Sequence, residues 1–166
     1  GAFAAPDPAA IAAAVAHCLH PFQHKKGGHP AGNLGNIRET LYELMWENVG
    51  IVRDAAGLER AIGALAALRD ELRTVGIGET NAAFNLTWHD WLNLDNLIAV
   101  SGAIAVAALA RENSRGAHFR SDFPSAGALA ESRYTVVRPE GGRLRVETEP
   151  VRFTRVNPGE TLLATP

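Results

Sequence analysis

The sequence predicts a mainly α-helical protein, an antiparallel bundle of three or four helices followed by a C-terminal β-hairpin. Apolar residues recur every three or four positions through most of residues 7–113, which is the spacing of one helix face. After residue 124 the pattern changes to alternating apolar and polar residues around a Gly-Gly pair, which is typical of two strands and a tight turn. A length of 166 residues suits one compact domain.

Three segments follow from these patterns. Residues 1–35 should hold an N-terminal helix and a loop rich in histidine and glycine, residues 36–124 the helical bundle, and residues 125–166 the hairpin tail.

The first helix is predicted over residues 7–20. Asp7 can cap it, and Pro8 suits the first helical position. Pro21 should end it, because proline cannot donate the next backbone hydrogen bond. Its apolar face would consist of Ile11, Val15 and Leu19.

The second and third helices carry clear boundary signals. Asn36 and Glu39 form a capping-box pattern at the start of the second helix, and Gly50 should end it. Asp54 should cap the third helix, and the glycines at 76 and 78 should stop it. The apolar positions are Ile37, Leu41, Leu44, Met45 and Val49 in the second helix, and Leu58, Ile62, Leu65, Leu68 and Leu72 in the third.

The fourth helix is predicted from Leu94 to Asn113, after a linker over residues 81–93. It is apolar on most sides, so we expect it to be the central and most buried helix. Gly141 and Gly142 should form the hairpin turn, with a short third strand near residues 151–156.

Charge and composition exclude several classes of protein. The net charge of −2 argues against a nucleic-acid-binding protein. Cys18 is the single cysteine, so an internal disulfide is impossible. The longest apolar run, residues 97–110, is too short to cross a bilayer. We therefore expect a cytoplasmic protein without direct membrane insertion.

The charged segment that follows the fourth helix, ARENSRGAHFRSDFP over residues 110–124, allows two interpretations. Arg111 and Arg115 would share a face of the last helical turns, and Gly116 would adopt the left-handed conformation that ends a helix. Asp122 would pair with Arg115 or Arg120. The segment is thus either a helix end held by internal salt bridges or a site where arginines bind an anion or another domain's carboxylates.

Other candidate sites are weaker. Four histidines lie between His17 and His29, with Cys18 among them, but their spacing matches no zinc pattern. Residues 25–36 are rich in glycine and precede a helix, but they lack the order of a phosphate-binding loop. We predict no metal-binding, cofactor-binding or catalytic residue in the chain.

The three tryptophans, expected to be core anchors, are Trp46, Trp88 and Trp91.

Ordered motifs over residues 36–124 resemble the helical C-terminal domain of the succinate dehydrogenase/fumarate reductase flavoprotein family, of which L-aspartate oxidase is a relative. The matching residues are Met45, Trp46, Val49, Gly50 and Arg53, then Leu58, then Ser114, Arg115, Gly116, Ala117 and His118, with Arg120, Asp122 and Pro124 beyond. The hairpin also resembles the tail of the succinate/fumarate branch. The chains of L-aspartate oxidases usually end before such a hairpin, so an L-aspartate oxidase-type domain is the second choice. Asn113 departs from the glutamate usual in the family.

The resemblance implies an FAD-dependent oxidoreductase whose flavin-binding and catalytic residues lie upstream of this region. The chain would then be an isolated domain beginning at Gly1, inactive alone, with no cofactor of its own but FAD in the parent protein. Its partners would be the FAD-binding domain of the same polypeptide and an iron–sulfur subunit, at the cytoplasmic face of a membrane. The residues expected at the interface are Arg111, Arg115, His118, Arg120 and Asp122.

Two further hypotheses remain open. The chain would alternatively be a free-standing interaction module that docks a partner through its arginine-rich face, or a small metal-binding protein that uses the cluster from His17 to His29.

Overall fold

The computed structural model describes residues 5–23, 34–78 and 81–160. Within these ranges lie four α-helices, four β-strands and a 3₁₀ turn (Leu129–Glu131). The helices are α1 (Pro8–Gln23), α2 (Leu34–Val49), α3 (Ala55–Thr74) and α4 (Leu86–Ala110), and the strands are β1 (Val52–Arg53), β2 (Phe119–Arg120), β3 (Arg133–Glu140) and β4 (Arg143–Pro150). The predicted fold class, a helical bundle followed by a β-hairpin, is confirmed.

Two compact units make up the chain, and each consists of two segments. The first comprises residues 1–43 and 64–100, and the second comprises residues 44–63 and 101–166. Each of α2, α3 and α4 contributes residues to both units.

The core of the first unit is built around Trp91, which is almost fully buried. Its indole Nε1 donates to the carbonyls of Leu72 and Val75, both at 3.1 Å, at the end of α3. The indole thus adds a donor at the end of α3, where the Leu72 carbonyl also accepts from the Val75 amide at 3.0 Å, while its ring fills the core. The other buried apolar residues are Ile37, Leu41, Leu65, Leu68, Leu72, Val75, Ile77, Leu94 and Ile98.

The second unit has a smaller apolar core and two pairs of strands. β1 and β2 form a short parallel pair, and β3 and β4 form the predicted hairpin. Gly141 and Gly142 both have positive φ in the turn of that hairpin, a conformation that favours glycine. The buried apolar residues are Val49, Leu58, Ala61, Ala105 and Ala108.

The predicted third strand near residues 151–156 is wrong, because this segment forms no strand. The Val151 amide does donate to the carbonyl of Ser132 at 2.8 Å, but the chain then leaves the sheet edge.

Several predicted helix boundaries are corrected by the structure. Pro21 does not end α1, which continues to Gln23; so close to the end, proline removes few helical bonds. Asn36 is not the cap of α2, since the helix already begins at Leu34. Asp54 is confirmed as the cap of α3, because its Oδ1 accepts from the Gly57 amide at 2.7 Å.

The fourth helix begins eight residues before its predicted start, at Leu86. Asn85 caps it, because its Oδ1 accepts from the Trp88 amide at 2.9 Å. Ala110 is the last helical residue, so the helix also ends before Asn113.

The structure places more buried residues in α4 than in any other described helix, as predicted, but one side of α4 is exposed. Only 33% of its most apolar 18-residue window is buried. Three apolar side chains at helical spacing, Leu97, Val100 and Ile104, are exposed. With 25 residues, α4 is also long and apolar enough to cross a bilayer, which the shorter predicted run was not. Core helices of soluble proteins meet the same criterion, so this length assigns no membrane span.

Candidate interface at the end of the fourth helix

The segment after α4 folds back on itself in a tight turn. The amide of Arg115 donates to the carbonyl of His118 at 2.9 Å, and the His118 amide returns a bond to the Arg115 carbonyl at 3.2 Å. Gly116 occupies the turn with φ +60°, so its predicted left-handed conformation is confirmed, but it does not end the helix as predicted, because α4 ends at Ala110. The turn delivers Phe119 and Arg120 into β2, where they pair with Val52 and Arg53 of β1.

Arg120 is the structural centre of this region, with 1% of its surface exposed. Its Nη1 donates to the carbonyls of Ala108 at 3.1 Å and Leu109 at 2.9 Å, at the end of α4. The buried cation adds donors for these carbonyls, of which that of Ala108 also accepts from the Arg111 amide at 3.3 Å, and it matches the negative end of the helix dipole. The guanidinium also lies 5.0 Å from the centre of the Phe123 ring.

Asp122 balances the charge of Arg120. Its two oxygens accept from Nε and Nη2 of Arg120, each at 2.7 Å, in the bidentate geometry that guanidinium favours. Asp122 Oδ2 also accepts from the Ala55 amide at 3.0 Å, so this pair joins the end of α4 to the start of α3. The bond to Arg120 lowers the pKa of Asp122 below its ordinary range, and the same bond raises the pKa of Arg120.

Arg115 holds the segment that leads to the hairpin. It donates from Nε to the carbonyl of Ala126 at 2.6 Å, from Nη1 to Oγ of Ser132 at 2.8 Å, and from Nη2 to the carbonyl of Ala128 at 3.2 Å. Ser114 holds the inner side of the turn, because its hydroxyl accepts from the Arg120 amide at 2.9 Å and donates to the Phe123 carbonyl at 2.8 Å.

His118 is a buried histidine of the same turn. Its Nε2 lies 3.2 Å from the carbonyl of Arg111, and because a carbonyl only accepts, Nε2 must carry the proton. Burial lowers the pKa of His118 below its ordinary value, and the positive charges of Arg111, Arg53 and Arg120 lower it further, against the opposing effect of that hydrogen bond.

Two arginines of this region have no carboxylate partner among the described residues. Arg53 is half-buried, and its Nε is buried without a hydrogen-bond partner. Burial lowers the pKa of Arg53, and Arg111 and Arg120 lower it further. No ion pair involves the guanidinium of Arg111 in the described part of the chain. The end of α4 therefore carries two arginines whose guanidinium groups are not paired with a carboxylate in the described part of the chain.

Within the second unit, several large apolar residues that lie near these arginines in sequence are exposed. Trp46, in the last turn of α2, is 79% exposed, so the prediction that it anchors the core is wrong. Ile51 and Val52 are also mostly exposed, and Phe119 is 39% exposed. Val52 and Phe119 pair in register across β1 and β2, so their side chains leave the same side of the ladder.

The predicted interface residues thus occupy one connected region but differ in what they contact. Arg111 and Arg115 do not share a helical face, because α4 ends at Ala110. Of the two predicted pairings of Asp122, the structure contains the one with Arg120. No sequence pattern predicts Arg53 as a member of the region, because only the pairing of β1 with β2 brings it there.

The histidine cluster is only partly described. His24 and His29 lie outside the described residues. His17 Nε2 lies 3.2 Å from Oδ2 of Asp95, whose other oxygen, Oδ1, lies 3.2 Å from Nε of Arg69. His20 Nε2 lies 2.9 Å from the carbonyl of Arg73. Among the described residues, no three histidine, cysteine or acidic side chains are placed to hold a metal ion.

The other two tryptophans lie in the first unit. Trp91 is buried as predicted, and Trp88 is half-buried with its Nε1 donating to the Cys18 carbonyl at 2.7 Å.

The residues around α3 do not fit a dinucleotide site, although β1 leads directly into this helix. A bound pyrophosphate needs free backbone amides at the helix N-terminus and glycines that allow close approach. Here Asp122 already accepts from the Ala55 amide, and Asp54 accepts from the Gly57 amide. Two carboxylates therefore occupy the position that phosphates would take.

Residues 38–162 match the family model described as the C-terminal region of the fumarate reductase flavoprotein. The fumarate reductase flavoprotein subunit of Mycobacterium tuberculosis is 34% identical over 139 residues, which cover 83% of this chain and 23% of that protein. L-aspartate oxidase 1 of Ralstonia nicotianae is 41% identical over 101 residues, covering 61% of this chain and 17% of that protein.

Solved structures show the same fold. A variant of the Escherichia coli quinol fumarate reductase superposes with a TM-score of 0.79 at 26% identity, over 95% of this chain and 27% of that one. The Mycobacterium smegmatis Sdh1 complex in its apo form gives a TM-score of 0.72 at 30% identity, over 90% and 27% of the two chains. The chain therefore spans about a quarter of the length of these relatives.

Proposed function

Because the chain belongs to the family of fumarate reductase flavoprotein C-terminal domains, we propose that it docks on the FAD-binding domain of its own polypeptide and is inactive alone. The parent protein would be an FAD-dependent oxidoreductase that interconverts a succinate/fumarate-type dicarboxylate pair. The observation that carries this proposal is that the chain matches only a C-terminal part of much longer flavoproteins. The family match extends over residues 38–162, while relatives named as flavoprotein subunits are about four times longer.

In the parent protein, FAD would supply the acceptor or donor of the hydride. This chain's residues would act by shaping a surface. Asp54 and Asp122 fill the N-terminus of α3, and the described residues offer no glycine-rich turn for a pyrophosphate, so the flavin would be held elsewhere in the polypeptide.

The segment from Arg111 to Asp122 would form part of the docking surface, with different roles for its members. Arg115, Arg120 and Asp122 would fix its shape through the bonds described above. His118 would close the turn from inside. Arg111, which has no described ion pair, would be the member that contacts the docked domain.

Partners and location follow from the same proposal. One similar structure is a quinol fumarate reductase with menaquinol molecules, which supports a parent protein that works with further subunits at a membrane. We expect an iron–sulfur subunit among them and place the domain at the cytoplasmic face.

The test compares the 166-residue chain with the full-length polypeptide that contains it. The full-length protein should bind FAD and oxidise succinate or reduce fumarate with an artificial electron carrier, whereas the chain should stay colourless after incubation with FAD and show no turnover. A yellow chain, or one that turns over a dicarboxylate unaided, would overturn the proposal. A gene that encodes only these residues would favour the free-standing interaction module.

A further inference from the structure

Three arginines lie near the end of α4, and two of them, Arg53 and Arg111, form no ion pair among the described residues. Arg53 and Arg120 are directly paired in the parallel ladder of β1 and β2, so their side chains leave the same side of it. Arg111 follows α4 immediately, and its carbonyl lies 3.4 Å from Nη1 of Arg120. The charges of Arg111 and Arg120 both act on Arg53, which places the three guanidinium groups in one neighbourhood.

Two of the three carboxylates of this neighbourhood already accept hydrogen bonds within the chain. Asp122 accepts two bonds from Arg120 and one from the Ala55 amide. Asp54 caps α3 through the Gly57 amide. Glu112 is exposed and forms no ion pair among the described residues.

Arg53 is therefore left with a buried Nε that bonds to nothing in the described chain. A buried donor without a partner is costly, and a desolvated charge beside like charges is more so.

We propose that Arg53 and Arg111 form a carboxylate-binding site for an aspartate or glutamate side chain in the part of the flavoprotein outside these 166 residues. This inference rests on the proposed function and adds the chemistry of the contact. A carboxylate accepts two parallel bonds from a guanidinium, so it would satisfy the orphaned Nε of Arg53 and offset the repulsion from Arg111.

The surroundings favour a protein side chain over a free dicarboxylate. Ile51, two residues before Arg53, is 66% exposed. A free small anion bound at Arg53 would leave this apolar side chain in water, whereas a docked protein surface would cover it, and apolar groups together with arginine are typical of such contacts. Val52 and Phe119 pair on the opposite side of the ladder from Arg53 and are not part of the proposed site.

Zero-length cross-linking in the full-length flavoprotein tests the site. The substitutions Arg53→Lys and Arg111→Lys each place an amine there, and a water-soluble carbodiimide joins an amine to a carboxylate in direct contact through an amide bond. Mass spectrometry should find position 53 or 111 joined to an aspartate or glutamate outside the 166 residues. Arg152→Lys, at an exposed position without a described ion pair, is the matched control and should give at least tenfold less of any such product.

Three outcomes would overturn the site. Cross-links only to Asp54, Glu112 or Asp122 would mean that the arginines serve the chain itself. A cross-link to a separate subunit would show that the carboxylate belongs to another polypeptide. Loss of the cross-link in saturating succinate, with the domain still docked, would assign the arginines to a free dicarboxylate. The flavin absorbance of the same protein reports on the proposed function independently.

Thermal unfolding gives a second readout that does not depend on cross-linking. Arg53→Gln should leave the unfolding midpoint of the isolated chain unchanged or raise it, because the substitution removes an unbalanced charge. In the full-length flavoprotein the same substitution should lower the midpoint, unlike Arg152→Gln. An equal loss in both proteins would show that Arg53 stabilises the chain internally, and the inference would be wrong.

Discussion

Arg120 offers the most direct test of how the end of α4 is held. Methionine at this position has a similar length and no branch, so Arg120→Met keeps much of the packing and removes the charge and all five donors. Lost with them are the bonds to the carbonyls of Ala108 and Leu109 and the bidentate pair with Asp122. We therefore expect the isolated chain to lose a large share of its stability.

The magnitude follows from burial. Breaking a buried ion pair by removing one partner costs about 3–5 kcal/mol, and each buried carbonyl left without a donor costs about 1–3 kcal/mol. Arg120 is 1% exposed, but the side chain of Asp122 is 31% exposed and keeps access to water. The carboxylate left behind is thus not fully stranded, and the expected loss is about 3 kcal/mol, at the low end of the range for a buried pair.

Urea unfolding of the 166-residue chain, followed by tryptophan fluorescence and far-UV circular dichroism, measures this loss. The m-value should stay constant, because the same surface is exposed on unfolding. Arg152→Met, at an exposed position, should change the free energy of unfolding by less than about 0.5 kcal/mol. A loss below about 1 kcal/mol for Arg120→Met would refute the view that this guanidinium holds the region together.

Two further predictions concern pH and backbone space. Because the folded pKa of His118 is lowered, the unfolded chain takes up a proton more readily below about pH 6.5; stability should therefore fall between pH 7 and pH 5, and His118→Gln should flatten that part of a thermal-melt profile. A Cβ at Gly50 would lie 2.6 Å from the backbone oxygen of Trp46, so Gly50→Ala should destabilise the chain by about 1–3 kcal/mol in urea unfolding. Gly63 is exposed within α3 and a Cβ there meets nothing within 4 Å, so Gly63→Ala should stabilise the chain by about 0.5–1 kcal/mol; the same sign at both glycines would contradict this account.

The sequence predicted elements whose signals are local. Asp54 and the leucine spacing placed α3 correctly, and Gly141 and Gly142 placed the hairpin turn. The start of α4 was missed because its cap, Asn85, lies in a polar segment that interrupts the apolar pattern. The exposed apolar side of α4 was not predicted, because composition alone does not say which apolar face is covered within the chain.

Only the local contacts of the site at the end of α4 could be predicted from the sequence. Asp122 and Arg120 are two residues apart, so their pairing could be anticipated from the sequence. Arg53 lies 67 positions before Arg120, and only the pairing of two short strands brings them together. Two-residue strands have too little pattern to predict.

The contacts also decide which substitution can test docking. Arg115→Ala would remove three bonds that hold residues 126–132, so weaker docking in that variant would not separate a lost contact from a distorted surface. Arg111 has no described ion pair, and Trp46 is 79% exposed, so Arg111→Gln and Trp46→Ala change the outer surface while leaving those bonds intact. Weaker docking in these two variants, with unfolding of the isolated chain unchanged, would therefore identify the surface itself as the interface.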